Sequence, residues 1–149
     1  MDFTRRTILL SAAALALMPA APAQSRRRLV IVTGGTGGVF YPYGGGLAKI
    51  LSEKMPNTQA TAQVTGGSVD NVKLLSEGEA DIGFSTIDSA YDGFTGAGAY
   101  ADDGPQNIRL IARLYDSFLH VVASEASGID SIAAMKGKRV SVGSAGSST

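Results

Sequence analysis

The feature that most constrains the fold is a glycine-rich turn that occurs three times, each time after an apolar, strand-like run. The three turns span Thr33–Gly38, Thr65–Ser68 and Gly143–Thr149. Glycine lets the backbone approach a ligand closely, and a Ser or Thr beside it can cap the helix that follows. Because a helix N-terminus presents unpaired N–H groups and the positive end of the helix dipole, each turn is a candidate cradle for an anionic oxygen.

Strand-like and helix-like segments alternate along the chain. The segments predicted as strands are residues 29–33, 58–64, 82–84, 108–114, 119–123 and 139–142. The segments predicted as helices are residues 44–55, 68–78, 87–91 and 131–135, and residues 93–105 are predicted as a loop. This alternation predicts an α/β fold with a parallel-rich sheet flanked by helices. Ligands of such sheets bind at the carboxyl ends of the strands, where the glycine turns fall.

The N-terminus has the pattern of an export signal. Arg5 and Arg6 precede an apolar run from Ile8 to Met18, and Ala21–Ala23 supplies the small residues that a signal peptidase reads. We therefore predict a cleaved signal peptide over residues 1–23 and a periplasmic mature protein. The apolar run is shorter than the ~20 residues that a membrane span needs. The paired arginines also resemble the twin-arginine export pattern, so both export routes stay open.

Composition and charge exclude several classes of function. The 13 basic and 13 acidic side chains balance, so no net field favours nucleic acid or an acidic membrane. The sequence has no cysteine, which excludes disulfides, thiol catalysis and thiolate metal sites. His120 is the only histidine, and the first turn lacks the Gly-Lys-Ser/Thr ending of a P-loop. Because no nucleophile, base and metal set can be assembled, we expect a protein without a cofactor that binds a small anion and releases it unchanged.

Five stretches carry motifs that are more specific than any single glycine turn. They are residues 33–48 (TGGTGGVFYPYGGGLA), 65–71 (TGGSVDN), 78–84 (GEADIGF), 109–122 (RLIARLYDSFLHVV) and 137–143 (GKRVSVG). In this order they resemble the TAXI family, the extracytoplasmic solute-binding proteins of TRAP transporters. The resemblance covers essentially all of the chain that follows the predicted signal peptide.

The resemblance implies a type II periplasmic-binding-protein fold, in which two lobes joined by a hinge clamp the ligand. It implies a subunit that captures a small carboxylate, either a dicarboxylate or an acidic amino acid, and delivers it to the TRAP membrane permease. Residues 24–122 then correspond to the first lobe and the approach to the hinge, and residues 123–149 to the start of a second lobe. Because complete family members are longer and the chain stops at a turn that should open a helix, we expect the second lobe to be truncated and mostly missing.

The predicted ligand-binding residues are glycines and hydroxyl side chains of the three turns, together with polar or aromatic side chains that follow the first three strands. They are Thr36, Gly37, Gly38, Tyr41, Gly67, Ser68, Asn71, Thr86, Asp88, Ser144, Gly146, Ser147, Ser148 and Thr149. In the third turn, Ala145 and Ser148 stand where the family has a proline and a glycine, but the turn keeps N–H and hydroxyl donors.

Four of these residues also have an ordinary structural interpretation. Ser68 is predicted to cap its helix as well as to contact the ligand. Asp88 either recognises an ammonium group or caps the short helix that it opens. Tyr41 is otherwise a packing residue, and Asn71 is otherwise a solvated surface residue.

Two other classes of function stay open from the sequence. One is a periplasmic sensor domain, or the binding protein of an ABC importer, for a small anion. The other is a periplasmic enzyme that uses Asp88 or His120, which would also need a positioned base and nucleophile. Transport and sensing would look the same in this sequence, because both begin with reversible binding of the same solute.

Overall fold

A parallel sheet of three strands forms the centre of the fold in the computed structural model, which describes residues 25–148. Strand β1 (Arg27–Val32) lies between β2 (Thr58–Gln63) and β3 (Ile82–Gly83). It pairs with β2 over its whole length but with β3 only over its last two residues. The predicted α/β class with a parallel sheet is therefore confirmed. The predicted signal peptide and Thr149 lie outside the described residues.

Each strand is followed by a helix, and two of these helices are longer than the sequence pattern predicts. The helices are α1 (Phe40–Lys54), α2 (Ser68–Ser76) and α3 (Ile87–Thr95). Helix α1 begins at Phe40 rather than Gly44 because the Phe40 ring packs on Phe84, with the ring centroids 5.6 Å apart. Helix α3 continues to Thr95, where Gly96 takes the left-handed conformation that ends a helix. No helix within residues 25–148 is both long and apolar enough to cross a membrane.

Helices α1 and α2 lie on opposite faces of the sheet. Parallel crossovers are right-handed, so the connection from β1 out to β2 and the connection back across to β3 must take different faces. Alternate residues of β1 divide accordingly. Leu29 and Ile31 belong to the buried cluster that includes Ala48 of α1. Val32, which points the other way, approaches Leu75 of α2 beside Gly83. Complete burial of an isoleucine such as Ile31 contributes about 1.5–3 kcal/mol of stability.

Tyr100 anchors a second layer in which α2 packs against α3. It is 1% exposed, and its hydroxyl lies 3.1 Å from the Ser89 hydroxyl of α3. It is carried by a 3₁₀ turn, Gly98–Tyr100, inside the segment that we predicted as a loop at residues 93–105. That prediction was wrong for the part of the segment that completes α3 and forms this turn. The sequence did not predict this turn because the glycines and alanines around Tyr100 show no periodic spacing of apolar residues.

Asp81 links β3 to the middle of β1. Its backbone N–H donates to the Val30 carbonyl at 3.0 Å, and its carboxylate accepts from the Val30 N–H at 2.8 Å. Asp81 is thus both a donor to and an acceptor from Val30, and it directly precedes the two residues of β3 that pair with β1. This contact compensates for the shortness of the strand.

The strands predicted at residues 108–114, 119–123 and 139–142 are not formed. Within the described part of residues 108–148, the regular structure consists of two 3₁₀ turns, Glu125–Ser127 and Ala133–Met135. The second lies inside the helical turn predicted at 131–135. Apolar side chains of this region stay exposed, 80% for Ile111 and 90% for Val122. The sequence has the right residues for strands, but a strand also needs a neighbour to pair its backbone groups, and here none lies alongside.

The side chain of Asn71 joins the ends of all three strands. Asn71 lies in α2 and is completely buried. Its amide nitrogen donates to the Thr33 carbonyl at 2.5 Å and to the Phe84 carbonyl at 2.7 Å, which are the groups that follow β1 and β3. Its amide oxygen accepts from the Thr65 hydroxyl at 2.6 Å, just after β2. One planar amide therefore fixes the spacing of the three turns at this edge of the sheet.

We expect Asn71→Ala to lower the free energy of unfolding by about 3 kcal/mol or more. The substitution removes the donor to the Thr33 and Phe84 carbonyls, and the Thr65 hydroxyl keeps only the Gly67 N–H as a partner. Each buried unsatisfied group costs about 1–3 kcal/mol. Urea denaturation monitored by circular dichroism measures the loss. Asn107→Ala is the matched control, since Asn107 is exposed, and we expect it to change stability by less than about 0.5 kcal/mol. Equal stability of the two variants would contradict the role assigned to Asn71.

Candidate functional site

The first two glycine turns meet at the carboxyl edge of the sheet. The turn after β1 and the turn after β2 approach each other at Gly34 and Gly67, where a Cβ on Gly34 would lie 3.9 Å from the Gly67 Cα. The connections that leave β1 and β2 run to opposite faces of the sheet, where α1 and α2 lie. The carboxyl edge of an open α/β sheet is where its ligands bind.

The first turn leads into an exposed and uncapped helix N-terminus. Thr36, Gly37 and Gly38 are exposed, and the Gly38 N–H donates to the Gly35 carbonyl at 3.0 Å, which closes the turn. No side chain caps α1, and its first turn contains no acidic residue. The backbone N–H groups and the dipole at this end are therefore available to an anion without electrostatic competition. Tyr41, in the first turn of the helix, is 37% exposed.

Ser68 does not cap its helix, so that prediction was wrong. The N-cap position belongs to Gly67, whose φ of 129° is one that favours glycine, and no side chain caps α2. Ser68 is instead the first residue of the helix and is 2% exposed. Its hydroxyl oxygen accepts from the Thr86 N–H at 3.1 Å. Ser68 thus holds the segment that leads from β3 into α3.

The N-terminus of α2 differs from that of α1 because protein oxygens occupy it. The N–H groups of Val69 and Asp70 both donate to the Gly146 carbonyl, at 3.0 and 3.3 Å. The Asp70 carboxylate lies in the first turn of the helix and accepts from the Gly66 N–H at 3.1 Å. Three N–H groups that the turn after β2 and the start of α2 would offer to a ligand are thus engaged within the protein.

The third turn packs directly on the second. The Ser144 hydroxyl donates to the Gly66 carbonyl at 2.5 Å, and Gly146 is buried against Gly66. The Ser147 N–H donates to the Ser144 carbonyl at 3.0 Å, which folds the turn on itself. The second and third turns are about 80 residues apart in the chain. Both were assigned to one site from the sequence, but direct contact between them was not predicted.

The structure describes Asn71 as a buried linker rather than a solvated surface residue, so the surface interpretation was wrong. Both ends of its amide already bind protein groups. Its assignment to the ligand stays a prediction.

A cavity of about 220 Å³ lies between α3 and the third turn. Its lining is Val69, Asp88, Ser89, Asp92, Ala99, Tyr100, Ser147 and Ser148. The pKa of Asp88 is held below its ordinary value, mainly by a hydrogen bond from the Thr86 side chain. This carboxylate is therefore charged at neutral pH. Burial raises the pKa of Tyr100, which stays a neutral donor or acceptor at the cavity wall.

The predicted site residues thus fall into two groups. The second and third turns, with Thr86 and Asp88, come together around α2 and the cavity. Thr36, Gly37, Gly38 and Tyr41 lie at the exposed N-terminus of α1. A larger depression of about 600 Å³ near residues 127–141 contains none of the predicted residues and is lined almost entirely by exposed ones. Both groups follow the carboxyl ends of the strands, where ligands of open α/β sheets bind.

Sequence reasoning missed Thr33, Thr65, Asp70, Asp92 and Tyr100 as residues that shape this edge. Thr33 is fully buried and donates to the Gln63 carbonyl at 2.7 Å. The available signal was weak: Thr33 and Thr65 each open a glycine turn, and their hydroxyls bond across the sheet edge as well as within their own turns. Among residues 25–148, no three His, Cys, Asp or Glu side chains come together in a way that would hold a metal ion.

Comparison with known proteins assigns the chain to a family. Residues 31–149 match the model of the NMT1-like family, so the match includes the end of β1, the other two strands, the three helices and all three glycine turns. This is a family of the periplasmic-binding type, whose members are binding proteins rather than enzymes and are typically extracellular or periplasmic. The chain belongs to the NMT1-like family, whose general function is the binding of a small-molecule solute.

Proposed function

We propose that this protein is the extracytoplasmic solute-binding subunit of a TAXI-type TRAP transporter, which captures a small carboxylate and delivers it to the membrane permease. The observation that carries the proposal is the exposed, uncapped and acid-free N-terminus of α1 at the carboxyl edge of the sheet. The family supports solute binding in general. The sequence resemblance described above supports the narrower assignment to TAXI proteins, and residues 1–23 supply the export signal.

The solute carboxylate binds first at α1. The donors that the turn offers at the start of the helix are the backbone N–H groups of Thr36 and Gly37 and the Thr36 hydroxyl, while the Gly38 N–H closes the turn by donating to the Gly35 carbonyl. Hydrogen bonds to a charged acceptor contribute about 1.5–3 kcal/mol each, so three or four of them are enough for micromolar affinity. Tyr41, which is partly exposed one residue into α1, covers the carbon chain of the solute.

The far end of the solute is bound by the second group of residues. Thr86 and Asp88 lie where the chain leaves β3, and Asp88 faces the cavity that Ser147 and Ser148 also line. Gly67, Ser68, Ser144 and Gly146 complete this side of the proposed site, while Thr149 lies outside the described residues. Asn71 contributes to the site by positioning the turns, to which its polar atoms are bonded. A charged Asp88 favours an acidic amino acid over a plain dicarboxylate, since it pairs with the amino acid's ammonium group.

We expect Gly37→Asp to weaken succinate binding about tenfold or more without lowering the melting temperature. A new carboxylate at the start of α1 favours the helix but repels an incoming anion. Space is no obstacle, because a Cβ at Gly37 would meet nothing within 4 Å. Isothermal titration calorimetry gives the affinity, and Gly37→Asn is the isosteric neutral control, expected to bind within about threefold of the parent. Equal affinity of the Asp and Asn variants would remove α1 from the site.

We expect Asp88→Asn to weaken L-glutamate binding about tenfold while succinate binding changes by less than about threefold. Only the amino acid has an ammonium group for Asp88 to pair with. Asp130→Asn, which removes one exposed carboxylate far along the chain, is the control for net charge. Because the Asp88 pKa is lowered, its contribution is present at neutral pH and persists below the ordinary pKa of an aspartate, disappearing as the pH falls through the lowered value. An equal loss of affinity for L-glutamate and for succinate would show that Asp88 supports the fold rather than pairing with the ammonium group.

A further inference from the structure

Residues 109–122, which we call the arm, are exposed at every position. Eight of them are large apolar residues, whose exposed fractions run from 38% for Tyr115 to 90% for Val122. At about 150–250 Å² for a large side chain, this exposure amounts to roughly 1,000 Å² of side-chain surface. The largest apolar patch of a typical monomer covers only about 300–600 Å², so the arm has the surface of an interface.

The arm runs to the α1 side of its own chain. The ring of Tyr115 packs on the ring of Tyr43 in α1, with the centroids 5.7 Å apart. Helix α3 packs on α2, which lies on the opposite face of the sheet from α1. Within residues 25–148, no hydrogen bond joins a backbone group of the arm to another backbone group. The arm can therefore lie along a neighbouring surface without first breaking structure of its own.

Helix α3 has an exposed apolar stripe. Ile87, Tyr91 and Phe94 have the i, i+4, i+7 spacing that places side chains on one face of a helix, and they are 58–71% exposed. Ser89 and Gly93 are the buried residues of this helix, so α3 already packs through its other face. Exposed apolar surface beside polar residues is typical of a protein–protein contact.

The charges around the two surfaces are opposite. Residues 87–107 contain four acidic side chains and no basic one, and Asp88 and Asp92 each follow a member of the stripe. Residues 109–142 contain five basic and three acidic side chains, and Arg109 of the arm bonds to no acidic residue in the described part of the chain. Opposite charges steer two surfaces together and fix their register. Because this chain carries both surfaces, a second copy supplies the matching one.

We propose that the chain forms a closed dimer in which the arm of each copy covers the Ile87, Tyr91 and Phe94 stripe of the other. Two such contacts related by a two-fold axis close the assembly, so no arm or stripe stays uncovered. The roughly 1,000 Å² of each arm is of the order of the 800 Å² that each partner contributes to a stable interface. The inference goes beyond the proposed function, and its test needs no solute.

The first test is the double variant Tyr91→Ser/Phe94→Ser. The matched control is Ile50→Ser, which removes a similarly exposed apolar side chain from α1. We expect sedimentation velocity of the full chain to show a dimer for the parent and for the control. The dissociation constant of the double variant should be about tenfold higher or more, because the stripe is the centre of the contact. Circular dichroism checks that the melting temperature is unchanged, as expected for exposed positions.

Three results would overturn the proposal. They are a monomeric parent, a double variant that dimerises as tightly as the control, and open-ended oligomers in place of a dimer.

A second measurement separates contact between arm and stripe from contact between two arms. Phe118→Ser/Leu119→Ser damages the arm and leaves the stripe intact. Mixed with the α3 variant in equal amounts, it forms dimers in which one of the two contacts has both surfaces intact. We expect the mixture to associate more tightly than either variant alone. Absence of any gain on mixing would overturn the exchange, and arms that pair with each other would leave the α3 variant as dimeric as the parent.

Discussion

The arrangement of this protein's binding edge depends on one buried amide. Parallel strands end at the same side of a sheet, but nothing in a backbone ladder fixes how the turns beyond their ends are spaced. The Asn71 side chain does so by bonding to groups that follow each of the three strands. An amide suits this task because it offers two donors and one strong acceptor in a plane, whereas a carboxylate would face two carbonyl oxygens without any donor. Both polar atoms of the Asn71 amide have hydrogen-bond partners, which makes this network rigid as well as stable.

Helices α1 and α2, which both begin at this edge, are electrostatically unequal. Helix α1 begins with glycines and aromatic residues and has no acidic side chain in its first turn, whereas α2 has Asp70 there and the Gly146 carbonyl on its N–H groups. The resemblance between the glycine turns in the sequence conceals this difference. Similar motifs therefore supply different chemistry, because the residues that follow each turn decide how much of the helix dipole remains available.

Local patterns in the sequence predicted those parts of the fold that depend on local properties. The alternation of strands and helices, the start of α2 at Ser68 and the position of the glycine turns all follow from residues close together in the chain. The role of Ser68 was predicted wrongly, because its hydroxyl bonds to Thr86, eighteen positions away. Tyr100 and Asn71 were underestimated for the same reason, since burial is a property of the assembled layers. The apolar runs near Ile111 and Val122 show the converse: strand-like composition does not make a strand without a neighbour to pair with.

The shape of the sheet also determines the order in which it can open. β3 joins β1 only beside its carboxyl end, through two ladder pairs and the Asp81 contact, while the other end of β1 has a neighbour on one side alone. Fraying on this side therefore starts at the end away from the turns, where fewer backbone groups are shared. The strand ends from which the first two turns leave are therefore held longer than the opposite end of the sheet. Partial opening that starts at that opposite end leaves the Asn71 bonds, and with them the spacing of these turns, unchanged.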